Sequence, residues 1–136
     1  MKYLLLVYTD DALLDALPAG QADAMMRDCL AHADEEKRAG RLLDFQQLEA
    51  PATAKSVRIR NGRLTTTDGP FTEAKEMLGG FNLVEADSME EALRMAAELP
   101  WAQTGCIEVR PVRDIATVRA RVALPDASSD TVGTGG

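Results

Sequence analysis

Ser56-Val57-Arg58-Ile59-Arg60-Asn61-Gly62-Arg63-Leu64-Thr65-Thr66-Thr67-Asp68-Gly69-Pro70 is the stretch that decides the fold. Asn-Gly between two alternating runs signals a β-hairpin, because both central residues of a type I′ turn need positive φ. A two-residue loop pins the register: Arg60 faces Arg63, Ile59 faces Leu64, Arg58 faces Thr65 and Val57 faces Thr66. Alternation then sets Leu64, Thr66 and Asp68 on one face, which points Asp68 toward the apolar side. Gly69-Pro70 cannot continue a central strand, so the backbone bends there. The bend runs through Phe71-Thr72-Glu73-Ala74-Lys75-Glu76 to Gly79-Gly80. Charged groups held at a forced turn beside a sheet predict a pocket at this point.

On the N-terminal side, Lys2 to Tyr8 is apolar on both alternating faces, as a central strand covered on both sides would be. After Pro18-Ala19-Gly20, the residues Ala22, Met25, Met26, Cys29, Leu30 and Ala33 recur at helical spacing. They predict an amphipathic helix from Gln21 to Ala39, stopped by Gly40. Leu42 to Leu48 reads as a second strand. On the C-terminal side, Leu78 to Ala86 is a strand whose double glycine admits a close neighbour or a bulge. Ser88-Met89-Glu90-Glu91 is a capping box, opening a helix that Pro100 ends. Cys106 to Val112 is the last strand. Residues 113–124 form a C-terminal extension with no assigned structure, and 125–136 read as a disordered tail.

The order is β-α-β, an inserted hairpin, then β-α-β. This predicts an α+β fold over residues 1–112: a ferredoxin-like split β-α-β with the hairpin added. Two helices on one face of an antiparallel sheet leave the other face bare. A homodimer packing sheet on sheet would cover that face and enclose a cavity.

The bulk numbers agree with one small globular domain. The chain has 136 residues, 46% apolar and 27% charged, with aromatics at only 4%, so aliphatic side chains must fill the core. A net charge of -7 repels phosphate backbones and argues against nucleic acid. The first apolar run is short and leads into Thr9-Asp10-Asp11, which is not a cleavage site. No stretch reaches the roughly 18 apolar residues of a membrane span. Cys29 and Cys106 are far apart, in no metal-type spacing, as in a reduced cytoplasmic protein.

Thr67-Asp68-Gly69-Pro70-Phe71-Thr72-Glu73-Ala74-Lys75-Glu76, then Leu78-Gly79-Gly80-Phe81 and Ile107-Glu108-Val109-Arg110-Pro111-Val112, resembles the DGPF-domain branch of the YCII-related proteins. The resemblance covers roughly Met1 to Val112. It implies a dimeric α+β barrel of ferredoxin-like subunits, bacterial origin, a cytoplasmic setting and a link to extracytoplasmic-function sigma factors. The wider group has a proposed dyad: a histidine on the first helix and an aspartate ending the second. Here Leu99 stands at the aspartate position and Cys29 near the histidine position, with His32 three residues on. The dyad therefore does not transfer.

The candidate residues each carry two readings. Asp68 caps the turn through N–H groups near Phe71, or is a general base raised by an apolar pocket. Glu73, Lys75 and Glu76 are solvated surface charges, or Lys75 anchors an anion or bridges a dimer. Arg110 pairs structurally with Glu108 on one strand face, or Arg58 and Arg110 bind an anionic group. Cys29, His32 and Glu36 share one sector of the first helix; they are an alternative thiolate site or a buried hydrophobe beside surface groups. As a metal site that trio is poor, so no metal is expected. Gly79-Gly80 lacks the spacing of a phosphate loop, and no cofactor is expected.

The favoured function is binding of a small polar or anionic organic molecule between sheet and helix, with Asp68 at the mouth and Lys75 or Arg58 as counter-charge. Any catalysis would be cofactor-free proton abstraction or elimination. The alternative is a non-catalytic regulatory or interaction module beside a sigma factor. In a third reading the DGPF segment only stitches a dimer together.

Overall fold

The computed structural model describes residues 1–126. Four strands form one antiparallel sheet: β1 (Lys2–Thr9), β2 (Leu42–Gln47), β5 (Met77–Glu85) and β6 (Gly105–Pro111), in the spatial order β2-β5-β1-β6. The hairpin strands β3 (Lys55–Arg60) and β4 (Arg63–Asp68) pair only with each other. Helices α2 (Gln21–Arg38) and α3 (Met89–Ala97) make the two crossovers, and the sheet is that of a ferredoxin-like α+β domain.

β1 sits between two antiparallel partners and alternates as a core strand should. Tyr3, Leu5 and Val7 are buried under the helices, and Leu5 is only 1% exposed. They pack with Ala33 of α2, Ala92 and Ala96 of α3, and Val84 of β5. Small residues on both helices let the backbones approach the sheet, which suits a chain with few aromatics. Leu4, Leu6 and Tyr8 point to the opposite face, beside Leu83, Phe81 and Leu78 of β5. On that side Leu4, Leu6 and Tyr8 stay partly exposed.

Local signals explain the element ends. Asn61 and Gly62 have φ of 54° and 75°, the positive values of a type I′ turn. The hairpin register runs from Lys55↔Asp68 to Arg60↔Arg63, as read from the sequence. Ser88 Oγ accepts the Glu91 N–H at 3.1 Å and starts α3. The returning bond reaches Asp87 N–H rather than Ser88, at 3.4 Å from Glu91 Oε2. Gly80 meets the Gln46 carbonyl so closely that a Cβ there would lie 2.6 Å from it. A bulge at Val7/Tyr8 faces this double glycine.

Two helices go beyond the sequence reading. α1 (Asp11–Asp15) is a single turn capped by Asp10, and α4 (Ile115–Arg121) occupies the extension that had no assigned structure. Pro125 and Asp126 are described, and the rest of the expected tail, 127–136, lies outside the described residues. No helix among the described residues is long and apolar enough to cross a membrane.

The orientation expected for Asp68 is corrected. The strand does reach Asp68, but the hairpin stands away from the main sheet, so neither of its faces is a core face. Val57, Ile59 and Leu64 are 63–66% exposed. The Asp68 side chain is 87% exposed and meets Lys55 Nζ at 2.6 Å.

Candidate functional site

The best-formed cavity lies where α2 and the turn Pro100–Ala102 meet the β2-β5-β1 end of the sheet. It encloses about 260 Å³ and is half open to solvent. Its walls are mainly apolar: Val7, Met26, Phe45, Pro51, Leu99 and Trp101. Gly79 and Gly80 form part of the floor, where missing side chains leave the volume open. Polar groups gather at Thr9, Asn82, Gln46 and Gln47, with carboxylates at Asp11 and Glu49. No Lys, Arg or His lines it.

Trp101 fixes one wall. Its indole Nε1–H donates to the buried Cys29 Sγ at 3.3 Å, joining the turn after α3 to the middle of α2. The thiol of Cys29 is thus buried against Trp101, the buried-hydrophobe side of its two readings. His32 Nε2 instead lies 3.1 Å from Glu98 Oε2, at the C-terminal cap of α3. Arg41 grips both oxygens of Glu36, at 2.5 and 3.0 Å. That hydrogen bond holds the Glu36 carboxyl below its ordinary range and raises the Arg41 guanidinium. An acid thus stands beside the helix-one histidine at the end of α3, one residue before Leu99. Glu98 was missed because an acid near a helix end ordinarily reads as a solvated surface residue.

The bend after the hairpin is a separate place. Gly69 N–H donates to the Ala54 carbonyl at 2.6 Å, and Ser56 Oγ donates to the Gly69 carbonyl at 2.9 Å. The turn is closed by these bonds, and the Asp68 carboxylate accepts from Lys55 Nζ rather than from N–H groups near Phe71. Lys75 Nζ lies 4.0 Å from the buried Asp10, in a broad open groove with Tyr8, Glu76, Cys106 and Glu108. Arg58 reaches the Phe71 carbonyl at 3.4 Å. Arg110 pairs with Glu108 at 3.7 Å, the structural pair expected from alternation. Glu73 is exposed. Tyr8 has its phenol raised, first by burial and then by the charge and hydrogen bond of Glu108. Asp68, Glu73, Lys75, Arg58 and Arg110 are thus not among the residues lining the apolar cleft.

Fold and cleft define a small α+β domain with a cavity between helix and sheet. The YCII-related domain matches residues 1–116, and this chain belongs to that family. It is 36% identical over 114 residues to an uncharacterised protein of Rhizobium meliloti, covering 82% of this chain and 92% of the relative. Among solved structures it is similar to 5-chloro-2-hydroxyhydroquinone dehydrochlorinase from Burkholderia phenoliruptrix, in complex with 2,5-dihydroxybenzoquinone. That similarity is 14% in sequence with a TM-score of 0.42, covering 83% of this chain and 94% of the other.

Proposed function

We propose that this chain, a member of the DGPF branch, is a homodimer that binds a neutral, ring-sized organic molecule in the cleft under Trp101. The carrying observation is the cleft itself: about 260 Å³, apolar walls, a few convergent polar groups and no cation. A carboxylate or phosphate ligand would face Asp11 and Glu49 with nothing to balance it, so the reading moves from anionic to neutral ligands. Asn82, Gln46, Gln47 and Thr9 can orient hydroxyl or carbonyl groups on a ring.

Two observations support the dimer. Leu4, Leu6 and Leu83 form an apolar sheet face that stays partly exposed. The hairpin also presents Val57, Ile59 and Leu64 to solvent, and a lone two-stranded hairpin is only marginally stable. Its residues 55–68 carry four cations and one acid; with the whole chain at -7, the other residues total -10. A basic apolar arm on an acidic body suits docking on a second copy.

The exposed setting of Asp68 and Lys75 favours a second reading for the DGPF segment alone, as an interaction surface rather than a catalytic one. A thermal-shift screen of small neutral aromatic and alicyclic alcohols, ketones and phenols tests both. Hits should appear with wild type and with Asp68→Asn, and vanish with Met26→Trp, which fills the cleft from the α2 side. Hits lost in Asp68→Asn but kept in Met26→Trp would reverse the assignment.

A further inference from the structure

We propose that His32, Glu36 and Glu98 form a binding site for a divalent transition-metal ion of the Zn²⁺ class. One ligand atom from each lies within 4.8 Å of the others. With Zn–N and Zn–O bonds of about 2.0–2.2 Å, donors around a tetrahedral ion stand about 3.4 Å apart, so the side chains must draw in by up to about 1.4 Å to hold one ion. One imidazole with two carboxylates is a donor set that suits zinc more than magnesium or calcium, which favour oxygen alone.

Two rigid elements build the site. His32 and Glu36 are four residues apart on α2, so they project from one face of the helix. Glu98 comes from the far end of α3 and already sits 3.1 Å from His32 Nε2. The imidazole and the Glu36 carboxylate are partly sheltered, while Glu98 is 55% exposed and leaves an approach from solvent. His32 and Glu36 also border a void of about 20 Å³ whose other walls are mainly apolar, among them Leu5, Val84 and Leu99; Glu98 does not line it, so the open coordination positions face solvent on the Glu98 side.

Arg41 is the group that argues against a cation, and it needs an account. Its guanidinium holds both Glu36 oxygens. A metal-bound carboxylate is ordinarily hydrogen-bonded in this way from behind, which orients it. Ion binding needs only one Glu36 oxygen, so Arg41 can keep the other. With neutral His32 the four groups sum to one negative charge, and the chain as a whole carries -7, which draws cations to the surface. Cys29 is close in sequence but its sulfur accepts from Trp101, so it stands outside the donor set.

His32 is the only histidine, so its ring gives one unambiguous NMR signal. The full-length chain is stripped with a chelator and titrated with Zn²⁺, and separately with Co²⁺ followed by visible absorption. The expected result is one ion per chain, a shifted His32 ring signal and cobalt bands of low-coordinate type. His32→Gln and Glu98→Gln should each weaken binding by at least about tenfold while leaving the far-ultraviolet circular dichroism unchanged. The proposal is overturned if the His32 signal stays fixed with excess Zn²⁺. It is equally overturned if both variants bind as tightly as wild type, since the ion would then sit elsewhere. Binding of ring-sized alcohols in the Trp101 cleft is read independently, so either reading can fail without the other.

Discussion

Gly80→Ala tests how the cleft floor is built. A Cβ at Gly80 would stand 2.6 Å from the Gln46 carbonyl oxygen, which is backbone and cannot rotate away. An ordinary carbon–oxygen contact is about 3.3 Å or longer, so β2 must retreat by roughly 0.7 Å. The neighbouring Leu48 N–H bond to the Gly79 carbonyl is 2.9 Å, and that shift would stretch it past hydrogen-bond range. Losing one or two such bonds costs about 0.5–1.5 kcal/mol each, and disturbed packing at Phe45 adds to it. Replacing Gly with Ala returns about 0.4–1 kcal/mol through the unfolded chain. The net expectation is a loss of about 1–2 kcal/mol. Gly79→Ala is the internal control, because its Cβ would meet the Thr9 side chain at 3.3 Å and the Val7 carbonyl only at an ordinary 3.8 Å. That side chain can move by a few tenths of an ångström, so the change should stay within about 0.5 kcal/mol of wild type. Urea unfolding followed by Trp101 fluorescence measures both. Equal midpoints for the two variants would refute the close approach of β2 to β5.

Ser88→Ala removes the side chain that accepts the Glu91 N–H and should cost about 1 kcal/mol in the same urea experiment. Leu6→Glu puts a carboxylate beside Glu108 on the partly exposed sheet face; sedimentation should show dimer for wild type and monomer for the variant. Tyr8 should ionise above the ordinary tyrosine range of about 10, seen by absorbance in a Tyr3→Phe background. Because its folded pKa is raised, the stability it contributes is present below the unfolded value and lost as pH rises through the folded one. Glu108→Gln should lower that midpoint only in part, since burial is the larger cause.

Much of the fold was legible because short-range chemistry specified it. Asn61-Gly62 demanded a type I′ turn, Ser88 with Glu91 a helix start, and Gly79-Gly80 a close strand neighbour. Each of these depends on residues within a few positions or on one tight contact. The cleft was less legible. Trp101 meets Cys29 across 72 residues, and Glu98 meets His32 only because two helices end side by side. Neither pairing leaves a periodic mark in the chain. Asp68 was misplaced for a related reason. Alternation tells which residues share a hairpin face, but not whether that hairpin lies on the sheet or stands clear of it. The one-turn helix at Asp11–Asp15 is too short to show a period at all.

Trp101 is the only tryptophan, and its indole N–H points at the wall of the cleft, so it reports directly on occupancy. The decisive measurement is a two-dimensional NMR titration of the labelled chain with a neutral phenol, following the indole N–H signal. A saturable shift of that signal, together with Asn82 and Gln46 but not Asp68 or the hairpin, is the expected result. Shifts confined to the segment around Asp68 and Lys75, with the indole unmoved, would contradict the account.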